Sequence, residues 1–430
     1  MQIHGHSTIV CCGINSILAQ INDSDEIVMR VLADFERDRW YCSRMSDTKY
    51  PFHEDFSGAG MARLGLGDKW ECVRACDIDP KKCASYRANF GSDDLFEGSI
   101  ADVKVADAKP ARLAWASFPC QDTSLAGGYA GLDGERSTMF WKWMRIVEDM
   151  ENAGKPFDIV CVENVRGLLT SNGGKDFASI ADALAQANYS IGAAVIDAAE
   201  FLPQSRERLF IVGVKMDKQH LPVFARKNPN THWHTYSMIE AHKEHFTKHA
   251  RSKWFWLDLP QPSIAKPTLE EIITDHPEGV EWHTAEQTTR LIELMAEENR
   301  RKLQERKKAK KRAIGMLYKR MRNGEQRAEI RFDGVAGCLR TATGGSSRQT
   351  VMIVEGNKVR SRLISPREAA KLMGLPDTYK LPAKYNDAYH LCGDGVAVPV
   401  VRFLAEQVFE PLLTKIDELK EEESLVSTGA

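Results

Sequence analysis

From about residue 52 to 214, short apolar runs alternate with longer segments of helical periodicity. Apolar runs of a few residues bounded by turn residues predict buried strands, and their alternation with amphipathic segments predicts an α/β domain with a mainly parallel sheet. The predicted strands are Cys72–Cys76, Leu113–Phe118, Phe157–Val162, Ile191–Ile196 and Leu209–Val214. Beyond residue 215 this rhythm fades. Histidines and tryptophans cluster between Thr231 and Trp256, prolines punctuate Pro260–Pro277, and a long polar helix is expected from Thr284, where Thr284 and Gln287 have capping-box spacing. Its apolar face is Leu291, Leu294 and Met295, and it runs into the basic stretch Arg300–Arg312. Near the end, Ser365-Pro366-Arg367-Glu368 supplies an N-cap, a first-turn proline and an N3 glutamate. Gly374 followed by Pro376 ends that short helix. A last amphipathic helix is expected over Arg402–Leu413, followed by acidic, solvated residues from Glu418.

The length of 430 residues allows two or three domains. Lys and Arg total 58 against 60 Asp and Glu, so any surface for a polyanion is local rather than global. With 43% hydrophobic and 27% charged residues, the chain is neither disordered nor a disulfide scaffold. No apolar run approaches the ~18 residues that span a bilayer, so no membrane partner is expected. The ten cysteines lack the dense spacing of a secreted scaffold and fit a reducing compartment. Residues 1–44 carry two short apolar patches, Ile9–Val10 with Cys11–Cys12 and Ile27–Leu32, without the order of a secretory signal. They read either as an extension outside the core or as a helical strap packed on it.

Three groups of residues suggest chemistry. Phe56-Ser57-Gly58-Ala59-Gly60 precedes a helical segment, and Asp77 and Asp79 follow about twenty residues on, at the end of the next strand. A glycine turn lets backbone approach a nucleoside, and an acid at that spacing accepts from ribose hydroxyls. Position 63 is Arg63 where a dinucleotide fingerprint has glycine, which favours S-adenosylmethionine over NAD. Strand Leu113–Phe118 ends in Pro119-Cys120-Gln121, with Ser124, Gly127, Gly128 and Gly131 beyond. A cysteine at the carboxyl end of a parallel strand is placed to be a nucleophile, although an arbitrary cysteine is more often a buried small hydrophobe. The next strand ends in Glu163-Asn164-Val165, and Gln204-Ser205-Arg206-Glu207-Arg208 leads into the last one. Period-two alternation puts Arg206 and Arg208 on one side of an extended segment. A thiol, a carboxyl and two guanidiniums at adjacent strand mouths are able to hold and attack a heterocycle.

These motifs, in this order from Asp55 to about Leu413, resemble the cytosine-C5 DNA methyltransferase family. The resemblance implies a Rossmann-like, S-adenosylmethionine-dependent catalytic domain (residues 45–214) with a smaller, irregular target-recognition domain (215–380). A segment at 381–415 then returns to the catalytic domain and an acidic tail occupies 416–430. It carries the cofactor loop onto Phe56, Gly58, Ala59 and Gly60, and ribose binding onto Asp77 with Ile78 beside it. It further implies Ser99, Ile100, Pro119, Met139, Asp394 and Val396 at the cofactor. Met139 and Phe140 are similar to the family's wall against adenine. Arg362–Asp377 and Gly393–Val396 are similar to its last two motifs. Three positions depart from the pattern and bear on how the cofactor is held. Ser99 replaces an aspartate, Asp394 an asparagine, and Met61 a glycine.

The implied catalytic residues are Cys120, Glu163, Arg206 and Arg208. By the family's chemistry Cys120 adds to C6 of a flipped-out cytosine. Glu163, protonated or sharing a proton, bonds N3 and the exocyclic amine, and Arg208, helped by Arg206, holds O2. No metal is required, and His232, His234, His242, His245 and His249 lack a nearby cysteine that completes a zinc pattern. About 120 residues lie where the family keeps its sequence-reading region. The stretch Arg340-Thr341-Ala342-Thr343-Gly344-Gly345-Ser346-Ser347-Arg348 combines arginines, hydroxyls and glycines suited to a phosphate backbone or a flipped base. The expected DNA contacts are Gln121, Ser124, Gln204, Arg340, Thr341, Gly344, Gly345, Ser346 and Arg348. The implied partner is double-stranded DNA, met by a monomer in bacterial or phage-infected cytoplasm or at the nucleoid, alone or with a companion restriction endonuclease. A tRNA cytosine methyltransferase and a non-catalytic DNA-binding relative are the alternatives.

Overall fold

The computed structural model describes residues 49–106, 108–119, 138–221, 225–263, 265–341 and 348–428. Its centre is a seven-stranded sheet of order β3-β2-β1-β4-β5-β7-β6. The strands are β1 (Tyr50–Asp55), β2 (Trp70–Asp77), β3 (Leu95–Glu97), β4 (Leu113–Ala116), β5 (Ile159–Val165), β6 (Ser190–Asp197) and β7 (Glu207–Val214). Strands β1 to β5 run parallel, and β7 is antiparallel to both neighbours. All five predicted strands are present. Alternation along each strand divides the interior between the two faces of the sheet. Leu113, Trp115, Ile159 and Cys161 pack on one side, whereas Ala114, Ala116, Val160 and Val162 pack on the other.

Helices cover both faces. On the second lie Thr138–Asn152 and Lys175–Gln186, burying Phe140, Trp143, Phe177 and Leu184. On the first lie Met61–Leu66 and Val398–Leu404, which touch so closely that a Cβ on Gly65 would fall 2.4 Å from Val401 Cβ. The C-terminal part of the chain is thus packed against the first helix. The closing helix Glu410–Thr428 is pinned by Lys69–Glu410 and by Arg112 to Asp417, and residues 421–426 are exposed.

Beyond a short antiparallel pair, β8 (Ala225–Arg226) and β9 (Trp256–Leu257), the strands β10 (Ala313–Arg322), β11 (Glu325–Arg331), β12 (Thr350–Glu355) and β13 (Lys358–Leu363) form a second, antiparallel sheet of order β11-β10-β12-β13. Within a region expected to be irregular, residues 313–363 thus hold four regular strands. The capping box at Thr284 and Gln287 is present, but the helix it opens stops at Glu293 and a second begins at Glu297. Tertiary pairing breaks it: Met295 is buried and bridges Ala328, whose N–H donates to Leu294 O. The Ser365 and Glu368 box also forms, and Gly374 takes φ 79° at that helix's end.

Candidate active site

Because β1, β2, β4 and β5 are parallel, their carboxyl ends share one edge of the sheet. Pairing of Val165 with Arg208 brings the start of β7 to the same edge. This register, rather than proximity in sequence, assembles the site.

At the β1 and β2 ends the chain makes a strained turn. Phe56, Gly58 and Gly60 all have positive φ, and a Cβ on Gly60 would lie 2.4 Å from the Phe90 ring, so only glycine fits there. The Asp77 carboxylate accepts from Gly58 N and Asp79 N, both at 2.8 Å, and burial raises its pKa. These two bonds leave lone pairs on both oxygens for further donors. Ile78 beside it is 69% exposed, an unusual position for a large apolar side chain. Ser99 uses its hydroxyl to accept from Ala101 N at 3.2 Å. Ala59, Ile100 and Val396 are buried, Met139 is half-buried, and Pro119 is exposed at the outlet of β4.

Beneath the turn, β1 buries three polar residues that the sequence motifs did not single out. Asp55 accepts from Arg74 Nη2 at 2.8 Å on both oxygens and from Trp143 Nε1 at 3.1 Å. Glu54 accepts from Arg63 N at 3.1 Å, and burial pushes its pKa up to about 8. His53 Nε2 donates to Lys109 O at 2.9 Å, and burial, then Arg74, lowers the imidazole pKa to about 3. The available signal was the run His53-Glu54-Asp55 inside an otherwise apolar strand.

At the β5 end, Glu163 is 8% exposed and its Oε1 lies 3.2 Å from Arg208 Nε. Asn164 Nδ2 donates to Phe118 O at 3.3 Å, tying β5 to the segment that leads into Cys120. The two arginines have different environments, although alternation predicts one side for both. Arg206 precedes β7 and is fully enclosed, donating to Leu339 O (2.9 Å), Gly393 O (2.9 Å), Gly395 O (2.6 Å) and Cys338 Sγ (3.4 Å). Arg208 is half-buried, with one donor on Glu207 O. Cys338 is a further member that no motif indicated. Burial raises its thiol pKa, but the guanidiniums of Arg206, Arg208 and Arg340 outweigh burial and bring it below the ordinary value.

Of the expected DNA contacts, Gln204 is fully buried, its amide held by Leu372 O (2.6 Å) and Leu339 N (3.1 Å). Arg340 is exposed. Thr341 donates to Asp394, and Arg348 bonds Asn386 Oδ1 at 2.6 Å. Cys120, Gln121, Ser124, Gly344, Gly345 and Ser346 lie outside the described residues. Among the described residues no three His, Cys, Asp or Glu side chains gather as a metal site.

The family described as C-5 cytosine-specific DNA methylase matches residues 50–410. Among curated relatives, Type II methyltransferase M1.ScrFI of Lactococcus lactis subsp. cremoris is 28% identical over 85% of this chain and 79% of its own. Type II methyltransferase M.HhaI of Haemophilus parahaemolyticus is 26% identical over 83% and 93%. The solved structure of the Entamoeba histolytica methyltransferase EhMeth superposes with a TM-score of 0.56, covering 85% of this chain and 99% of that one at 14% identity. The structure of a prophage-encoded DNA modification methyltransferase from E. coli gives 0.53, with 85% and 100% covered at 15% identity.

Proposed function

The chain belongs to the C-5 cytosine-specific DNA methylase family, and from that membership we propose that it methylates C5 of a flipped-out cytosine in a specific duplex sequence, through a covalent bond between Cys120 and C6. The observation that carries this reading is the shared edge. The glycine turn with Asp77 and the Glu163–Arg208 pair at 3.2 Å occupy neighbouring strand ends, and the chain after Phe118 leads from between them into Cys120.

S-adenosylmethionine supplies an electrophilic methyl group bound to a positively charged sulfur. Residues at the β1 and β2 ends fit it: Asp77 retains lone pairs for the ribose diol, Ile78 offers an open apolar surface, and a Cβ placed on Gly58 would have the Lys82 stem, at 4.0 Å, as its nearest neighbour among the described residues. Met139 and Val396 line the same cradle in this reading.

On the base side, Cys120 as thiolate forms the S–C6 bond, and the electron pair displaced from the C5–C6 double bond makes C5 nucleophilic. Glu163 bonds N3 and the exocyclic amine, and Arg208 holds O2 and the negative charge that develops there. Once C5 carries the methyl group, a base removes the C5 proton. The electrons of that bond restore the double bond, and the S–C6 bond breaks with thiolate as leaving group. Extruding the base from the duplex costs a few kcal/mol. Arg206 acts from behind, by fixing the backbone at Leu339 and Gly393–Gly395.

The relatives' Type II names support a modification enzyme that works beside a restriction endonuclease; in this proposal it acts as a monomer in the cytoplasm or at the nucleoid. In this assignment residues 45–214 are catalytic, 215–380 read the sequence, 381–415 rejoin the first part and 416–430 are a tail. The test is transfer of labelled methyl from S-adenosylmethionine to plasmid DNA and to tRNA in parallel, with base-resolution mapping of the product. Label at one short recurrent sequence in the plasmid, as 5-methylcytosine, is expected. Label in tRNA alone would transfer the assignment to RNA, and no label in either would end the enzymatic reading.

A further inference from the structure

The cofactor-side and base-side clusters meet at one carboxylate. Asp394, the last residue of helix Tyr385–Asp394, stands 2.9 Å from Lys82 Nζ with one oxygen and accepts the Thr341 hydroxyl with the other. Lys82 follows Asp77 and Asp79 in the helix Pro80–Phe90, and its stem runs along the turn at Gly58. Thr341 lies two residues after Leu339, whose carbonyl Arg206 holds at 2.9 Å. A Cβ on Gly393 would fall 2.8 Å from Thr341 N and 3.0 Å from Arg340 C, so the backbone at 340–341 rests directly on the helix end. The same helix is fixed on the cofactor side by Lys81–Asp387 at 2.9 Å, and on the other side by Arg348 at Asn386.

Side-chain exposures of 28% and 38% make Lys82–Asp394 a solvent-touched pair. Such pairs add little to stability, so the bridge is poorly suited to holding the fold together. Its geometry suits another purpose. A carboxylate with an ammonium on one oxygen and a hydroxyl on the other fixes the spacing of those two groups.

We propose that Asp394 is a positioning residue that locks the DNA-facing backbone at Arg340–Thr341 to the cofactor-facing turn through Lys82, so that cofactor and DNA bind cooperatively. This rests on the methyltransferase reading above. A ligand packed on Gly58 and Asp77 orders the Lys82 stem, and through Asp394 it orders Thr341. DNA arriving second does not meet that ordering cost again.

The experiment measures affinity for S-adenosylhomocysteine with and without a short duplex carrying the mapped methylation sequence, and affinity for the duplex with and without S-adenosylhomocysteine. In the unaltered protein each ligand strengthens the other by the same factor, about fivefold or more. Thr341→Val and Asp394→Ala bring that factor to about one, Thr341→Ser keeps it, and all three leave the melting temperature nearly unchanged. If Asp394→Ala fails to fold, Thr341→Val still decides. Coupling that is absent from the unaltered protein, or that persists in Thr341→Val, overturns the inference while leaving the methyltransferase reading intact. Binding of neither ligand to the unaltered protein defeats that reading first, and the bridge with it.

Discussion

Replacing Arg206 by alanine separates the roles of the two arginines. The side chain is 2% exposed and donates to three backbone carbonyls, at Leu339, Gly393 and Gly395. Each buried carbonyl left without a donor costs about 1–3 kcal/mol. Water entering the vacated space recovers part of that sum, so a net loss of about 3–5 kcal/mol is expected, in the range found when one partner of a buried charged interaction is removed. Native domains hold only about 5–15 kcal/mol in total. The assay is urea unfolding followed by tryptophan fluorescence. With a slope of about 3 kcal/mol/M for a chain of this size, the midpoint falls by about 1 M or more. Arg206→Lys, whose ammonium reaches some of the same carbonyls, loses roughly half as much. Arg208→Ala is the contrast. Its guanidinium pairs with Glu163 at 3.2 Å and holds a single backbone carbonyl, so its removal moves the midpoint less than that of Arg206 and lowers turnover by about 10²–10³-fold. An unchanged midpoint for Arg206→Ala, with methylation lost, would refute the backbone-fixing role and place Arg206 on the substrate.

Three other outcomes follow from single contacts. Glu54 titrates at about 8 when folded, against an ordinary value of 4.5, so the folded chain binds more protons between those values. Its contribution is therefore full below pH 4.5 and is lost as pH rises through about 8; unfolding of Glu54→Gln across this window has a shallower fall with rising pH, and an unaltered slope contradicts the burial argument. Ile78→Ala removes apolar surface that a bound nucleoside would cover, so affinity for S-adenosylhomocysteine drops about three- to tenfold with no change in melting temperature; equal affinity by calorimetry removes Ile78 from the cofactor cradle. Glu368→Ala strands Arg362, which is fully buried and bonded to that carboxylate at 2.6 and 2.7 Å, and costs about 3–5 kcal/mol in urea unfolding.

Elements whose signals are local were legible before the structure. Continuous apolar runs marked β2, β4, β5, β6 and β7, and hydroxyl-to-glutamine or hydroxyl-to-glutamate spacing marked the helices after Thr284 and Ser365. Features set by tertiary contacts were not. Strand β1 carries His53, Glu54 and Asp55 inward, an arrangement tolerated because Arg74, Trp143 and backbone groups supply bonds that the sequence pattern does not display. The β10–β11 hairpin ends in Lys319–Arg322 and turns at Asn323–Gly324, whose positive φ angles make a tight hairpin. Its charged end masks the apolar Ile314–Leu317 that forms its buried half. The helix after Thr284 was overextended because Met295 and Leu294 answer to Ala328 rather than to their neighbours. At the site, motif order indicated Glu163, Asp77 and both arginines. Alternation nevertheless gave Arg206 and Arg208 one environment, because the regular strand begins only at Glu207. Cys338 had no signal beyond standing two residues before Arg340.

The central claim is that Cys120 forms a covalent bond to cytosine in DNA, and trapping tests it most directly. Fluorine at C5 takes the place of the proton whose loss releases the enzyme, so the methylated adduct cannot break down. A duplex carrying the mapped sequence with 5-fluorocytosine at the target, mixed with the protein and S-adenosylmethionine, is predicted to give a species that survives denaturing electrophoresis at the summed mass. Cys120→Ala gives none. No adduct from the unaltered protein when cofactor binding is verified, or an adduct that persists in Cys120→Ala, would contradict it.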